Sequence, residues 1–158
     1  MTATPPAPSD EFPTVRVDVA QVDRYRFEVT YPGTELRPLT VDEGPPIGTG
    51  AGPDPALALA GAIGHCLGST LFNTCERSRV RTTAIRTQVT VSFGRNEKGH
   101  KRIAALTVRI DCAPVDAADR ERFDRAVAIF EEYCTVTGSV RTGIPVLTEV
   151  RAPPGGAP

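Results

Sequence analysis

The sequence has no tryptophan, one methionine and only two histidines, His65 and His100. With so few imidazoles and no cluster of carboxylates, it offers no metal site. Excess charge of either sign is also missing: 18 Lys+Arg against 19 Asp+Glu leave a net charge of −1. That balance gives no electrostatic reason to bind nucleic acid or an anionic membrane. The basic pieces Arg77-Ser78-Arg79-Val80-Arg81 and Lys101-Arg102 are short and read as a solvated helix end and a hairpin edge. No Gly-x-Gly-x-x-Gly and no phosphate-loop pattern occurs, so nothing supports nucleotide binding. No Cys-x-x-Cys occurs either, which excludes a zinc knuckle. The four cysteines, Cys66, Cys75, Cys112 and Cys134, are too few in 158 residues for a disulfide scaffold. There is no basic start followed by an apolar run, so no signal peptide is expected. The longest apolar stretch, Ala56–Ile63, is too short to span a bilayer. These absences predict a cytoplasmic protein whose thiols start out reduced.

What is present is enough for one globular domain: 16.8 kDa with 40% hydrophobic residues. Residues 1–13, with four prolines among Ala, Thr and Ser, and residues 152–158, rich in Pro, Ala and Gly, predict disordered tails around a single domain at 14–151. Ten of the 15 prolines lie in the first 55 residues, which keeps helix out of that third. Alternation with a period of two marks strands with one covered face. It runs through Val15, Val17 and Val19, then Phe27, Val29 and Tyr31, then Val89, Val91 and Phe93. It continues through Leu106, Val108 and Ile110 and closes with Ile144, Val146, Thr148 and Val150. Gly94–Gly99 reads as a hairpin connection.

Two helices are predicted. The first spans Asp54–Arg79, with Pro55 suited to its first turn and a first half so apolar that it should be buried. The second runs from Asp116, an N-cap, to Tyr133, with Phe123, Val127, Phe130 and Cys134 as its apolar stripe. The order β-β-β-α-β-β-α-β predicts an α+β fold with helices on one face of antiparallel sheet. On the first helix, Gly61, Gly64 and Gly68 share a face with Leu57, Leu71 and Cys75. Three glycines cost about 1 kcal/mol each relative to alanine. They imply close approach, either of another helix or subunit or by ordinary tight core packing. The opposite face turns from apolar to polar at Cys66, where a thiol is sheltered yet partly solvated. Cys134 is then either a core-filling thiol or a partner for Cys66 across a helix–helix contact. Cys75 and Cys112 read as structural.

The run from Asp42-Glu43-Gly44-Pro45-Pro46 through Gly52-Pro53-Asp54-Pro55 into the small-residue helix that reaches Cys66 resembles the OsmC/Ohr family. So does Glu132-Tyr133-Cys134-Thr135-Val136 with its continuation Gly143-Ile144-Pro145-Val146, Thr135 standing where the family has proline. The resemblance covers roughly residues 14–150. It implies an OsmC-like α+β fold: antiparallel sheets, a long buried central helix and an intertwined homodimer. It also implies a cysteine-based peroxidase for organic hydroperoxides or hydrogen peroxide, with Cys66 the peroxidatic thiol and Cys134 the resolving thiol. The partner would be an external dithiol or lipoyl-type reductant, with no bound cofactor and no metal. In the family an arginine from an N-terminal loop, held by a glutamate near the helix start, activates the thiolate. Here the glutamate position, ten residues before Cys66, is Ala56. Glu43 and Asp54 are the substitute carboxylates, and Arg24, Arg26 and Arg37 the candidate cations. Arg77 shares the Cys66 face but stands ~16 Å along the helix. Ala56 also motivates an alternative: an OsmC-like small-molecule binding or redox-sensing protein without peroxidase activity.

Overall fold

The computed structural model describes residue 9 and residues 11–151; most of the N-terminal and all of the C-terminal tail expected from the sequence lie outside the described residues. Three strands, β1 (Asp18–Asp23), β2 (Arg26–Thr30) and β3 (Leu39–Val41), form an antiparallel sheet in that order. The alternation at Val15 and Val17 therefore does not become strand, because β2 ends at Thr30, opposite Asp18. Helix α1 follows (Pro55–Arg77), then the long antiparallel ribbon β4 (Arg86–Arg95) and β5 (Lys101–Asp111). The remainder is helical: α2 (Arg120–Ile129) and α3 (Thr135–Thr142), with a short 3-10 turn before each.

Local chemistry sets both ends of α1. The Asp54 carboxylate accepts from the Leu57 backbone N–H at 2.8 Å, and Pro55 opens the first turn, where a missing N–H costs nothing. At the other end Arg79 adopts φ 56°, turning Val80 back beneath the helix, where its N–H donates to the Cys75 carbonyl at 2.9 Å. Over its most apolar 18 residues α1 has mean hydropathy 1.4, so length and composition alone would let it cross a bilayer. This corrects the expectation drawn from the shorter Ala56–Ile63 run; the core helix of a soluble protein has the same property. Ile63, Leu67, Leu71 and Cys75 form one buried stripe, packed with Val80, Phe123, Ala126, Phe130 and Cys134.

The glycine face meets the sheet rather than another helix. A Cβ on Gly64 would come within 3.0 Å of Val89 Cγ2, and one on Gly68 within 3.3 Å of Thr87 Cγ2. Gly64 and Gly68 thus let α1 lie directly on β4, as tight core packing requires, while Gly61 is exposed with nothing within 4 Å of a Cβ. The helix is not buried all round: Leu57 is 59% and Phe72 53% exposed. The three-stranded sheet makes at most marginal contact with the other elements.

Two expectations fail toward the C-terminus. The single helix predicted to Tyr133 is broken into a 3-10 turn, α2, a second 3-10 turn (Phe130–Tyr133) and then α3. Within α2 the core contacts are Phe123 and Ala126, while Val127 is 40% exposed. The strand expected at 144–150 is irregular chain, with Leu147 95% exposed. A strand needs a neighbour for its N–H and C=O groups, and here none is within reach.

The loop between β3 and α1 is tied from within by Asp42, which is buried. Its Oδ2 accepts from Thr49 N (2.9 Å), Thr49 Oγ1 (2.5 Å) and Ala51 N (3.2 Å), and its own N–H donates to the Pro53 carbonyl at 3.3 Å. Gly48 is required inside this loop, since a Cβ there would overlap the Glu43 carbonyl oxygen. The Thr49 hydroxyl bond is the largest influence on Asp42 and, with the backbone donors, outweighs burial to hold its carboxyl below the usual range. A lowered folded-state value stabilises the protein fully above the unfolded value, about pH 3.9, and the gain is lost as pH falls through the folded value. Acid unfolding curves followed by circular dichroism should therefore show Asp42→Asn less stable than the parent near neutrality, with the gap closing in acid. A gap independent of pH would show that the charge on Asp42 is not the stabilising feature.

Candidate functional site

Cys66 lies midway along α1, and Cys134 at the junction of the second 3-10 turn and α3. Cys134 does not end a long helix, as the sequence suggested. It has extended backbone (φ −81°, ψ 100°) and occupies the N-cap of α3. The break swings its side chain onto α1, and the two sulfurs stand 2.9 Å apart. A disulfide bond is about 2.05 Å, so this is a reduced pair in direct hydrogen-bond contact, less than 1 Å from bonding distance. Sequence spacing left the core-filling and partner readings of Cys134 open; the geometry brings the two thiols together across 68 residues of chain.

The thiols differ in exposure and in hydrogen bonding. Cys66 is half-buried and lines an open cavity of about 540 Å³ with Ala62, His65, Ser69, Asn73, Tyr133 and Val136. Cys134 is 2% exposed, and its sulfur lies 3.2 Å from Thr137 Oγ1. Burial alone would push the Cys134 thiol up. Hydrogen bonding with Cys66, Thr137 and Thr70 outweighs it and holds the group below the ordinary cysteine value. Thr137 and Thr70 were not singled out from the sequence, because it placed Cys134 at the end of a helix rather than at the start of one.

The remaining thiols are of the structural kind expected. Burial pushes both Cys75 and Cys112 up, with nearby groups (Cys112 and Glu76 for Cys75, Asp111 for Cys112) adding to it, and both belong to or pack against the core. The candidate activating groups stand elsewhere. Arg24 occupies the β1–β2 turn with φ 41°. Arg26 opens β2 and pairs with Asp23 at 3.4 Å, and Arg37 is exposed before β3. Glu43 lends its backbone carbonyl to the Gly50 N–H at 3.0 Å, and Asp54 caps α1. Among the described residues no arginine lines the Cys66 cavity. His65 shares that cavity, on a surface-facing position of α1.

A sequence description of the OsmC-like protein family matches residues 48–149, a span that contains both thiols, α1 and the β4–β5 ribbon. The chain belongs to the OsmC-like protein family. Solved structures carry the same fold. An OsmC-like protein of unknown function from Vibrio cholerae superposes with a TM-score of 0.69 at 14% identity, over 81% of this chain and 94% of that one. An OsmC-like protein from Mycoplasma pneumoniae gives 0.68 at 12% identity, over 82% and 88%. The organic hydroperoxide resistance protein OhrB of Bacillus subtilis gives 0.52 at 20% identity, over 80% and 90%. At these identities the likeness is one of fold. Among curated protein sequences none matches the chain. Within the OsmC-like fold this chain keeps both thiols in contact and has Ala56 at the helix start.

Proposed function

We propose that this OsmC-like protein is a thiol-dependent peroxidase that reduces organic hydroperoxides or hydrogen peroxide, through a Cys66 sulfenic acid resolved by Cys134. The observation that carries the reading is the 2.9 Å contact between a sulfur open to a cavity and a sulfur sealed behind it. The Cys66 sulfur attacks one peroxide oxygen, the O–O bond breaks, and the departing alkoxide takes a proton to become an alcohol. Cys66 is left as the sulfenic acid. The Cys134 sulfur then attacks the Cys66 sulfur and displaces hydroxide, which becomes water, and a disulfide forms. An external dithiol, of lipoyl type or similar, returns two electrons by exchange. The relatives named for hydroperoxide resistance support the choice of substrate class. Peroxide consumption by the purified chain with a dithiol reductant tests it; turnover no faster than the reductant alone would overturn it.

The working unit in this reading is a cytoplasmic homodimer. The chain exposes 12719 Å², against roughly 7,600 Å² for a compact monomer of its mass. Fully solvated ends would add only roughly 2,300 Å². Leu57 and Phe72 on α1, the bare three-stranded sheet and the unpaired 144–150 segment are the surfaces a second copy would cover. Size-exclusion chromatography with light scattering should give twice the chain mass, and Leu57→Glu with Phe72→Glu should shift it toward one. A monomer of the unsubstituted protein at micromolar concentration would remove the dimer.

One observation favours a second reading, a small-molecule binding protein. A cavity of about 490 Å³ lies between α1, β5 and α3, lined by Leu67, Leu106, Val108, Phe130 and Val140. Thiols that alkylate slowly at neutral pH beside a ligand held in that cavity would decide for it.

A further inference from the structure

We propose that Arg77 is the distal anchor of the site: it binds the carboxylate of a long apolar substrate whose hydroperoxide end reaches Cys66. The identity of the reacting end rests on the peroxidase reading; the binding half of the test does not.

Arg77 and Cys66 lie on one line of α1. Eleven residues at ~100° each bring Arg77 to within ~20° of the Cys66 direction, and Asn73 falls between them. Beyond the open Cys66 cavity is a second hollow of about 340 Å³, lined by Asn73, Thr74, Arg77, Ser78, Ile129 and Tyr133. Asn73 and Tyr133 line both hollows. The two therefore adjoin, and together they make a groove along α1 from Cys66 to Arg77.

The groove changes character along its length. Ala62, Val136, Ile129 and the Tyr133 ring give it apolar walls that suit an alkyl chain. Its far end carries one charge. Among the described residues Arg77 is the only charged group lining the second hollow, and it makes no ion pair. The neighbouring carboxylates do not answer it: Glu131 is held by Arg141 at 2.6 Å, and Glu76 and Glu132 line neither hollow. A guanidinium takes a carboxylate through two parallel N–H···O bonds, and a single positive charge matches a monoanion. The Asn73 amide and the Ser78 hydroxyl are further donors in the same hollow.

The separation of ~16 Å that keeps Arg77 from activating the thiol is what an anchor for the other end of a substrate needs. Side chains on a helix lean toward its N-terminus, which carries the guanidinium back toward the Asn73 turn, roughly 10 Å from Cys66. Short hydroperoxides, and long ones without a terminal acid, cannot use it. A basic residue in the last turn also complements the helix dipole. That role alone predicts a change in stability, with no selectivity among ligands.

The test uses the full reduced chain, with circular dichroism as the fold control. Alkylation of Cys66 by iodoacetamide, a neutral reagent, is followed by mass spectrometry in the presence of decanoate or decanol. Decanoate should protect Cys66 at about fivefold lower concentration than the alcohol, and added salt should narrow the gap. Arg77→Gln should abolish the gap, and Arg77→Lys should restore part of it. Equal protection by acid and alcohol in the parent overturns the proposal, and so does a folded Arg77→Gln that keeps the gap. Peroxide reduction is scored separately, as thiol loss in a single turnover with a long-chain hydroperoxy acid and with its methyl ester. The acid should react faster in the parent and lose that advantage in Arg77→Gln. No reaction with either, alongside the expected protection, overturns the peroxidase alone. Reaction with both at one rate, without a protection gap, overturns the Arg77 anchor alone.

Discussion

Cys66→Ser is expected to reduce peroxide consumption at least about a thousandfold, to the background of the dithiol reductant. A serine hydroxyl does not ionise near neutral pH, so among the described residues no sulfur lining the open cavity remains. Cys134 cannot take over, since it is 2% exposed behind Cys66. Nor can Cys75 or Cys112, which burial holds in the neutral form. Cys134→Ser should behave differently. It retains the attacking sulfur and should consume about one equivalent of peroxide per subunit before stalling as a sulfenic acid. A sulfenic-acid trap followed by mass spectrometry, with peroxide stoichiometry alongside, checks both. Full turnover in Cys66→Ser would place the chemistry elsewhere, and a stoichiometric burst in Cys66→Ser would assign the first attack to Cys134.

Phe123→Ala is expected to destabilise the protein by about 3–5 kcal/mol, the usual cost of emptying an aromatic core position. Phe123, with Ala126, is a buried residue of α2 in the core that holds Ile63, Leu67 and Leu71. It shares that core with Phe130, four residues before Cys134, so loosening it loosens the segment that delivers the second thiol. Urea unfolding should show the lowered midpoint, and the rate of disulfide formation after a peroxide pulse should fall with it. Val127→Ala is the control: this residue is exposed, and the change should cost under about 0.5 kcal/mol. Equal effects at 123 and 127 would mean that the two faces of α2 are wrongly assigned.

The contrast between those residues shows what the sequence could convey. Phe123, Val127, Phe130 and Cys134 make a plausible stripe at helical spacing, but the chain tightens into a 3-10 turn at Phe130 and breaks at Cys134. Tertiary contact with α1 chooses Ala126 over Val127, and hydrophobicity alone ranks them the other way. Helix α3 was illegible for a related reason. Thr135-Val136-Thr137-Gly138 is β-branched and glycine-bearing, poor in helix propensity, and becomes helical only in its packed setting. By contrast α1 announced itself through Asp54, Pro55 and the alanines that follow, and β4 and β5 through clean alternation with Val89 opposite Val108. The segment 144–150 has the pattern of a strand, but pattern says nothing about who supplies the neighbour. The two thiols were legible as a pair through resemblance; that they touch, and that Thr137 meets one of them, depends on a break in the chain that no periodicity encodes.

The separation of 68 positions between the two thiols has a thermodynamic meaning of its own. Closing a loop of that length removes chain entropy from the unfolded ensemble, worth about 4 kcal/mol for a covalent link that the native fold accepts without rearrangement. If the proposed cycle operates, the oxidised chain would be the harder one to unfold and the reduced chain the more fragile. Each proposed turnover would then move the protein between a durable and a perishable form, and with reductant scarce the durable one would accumulate.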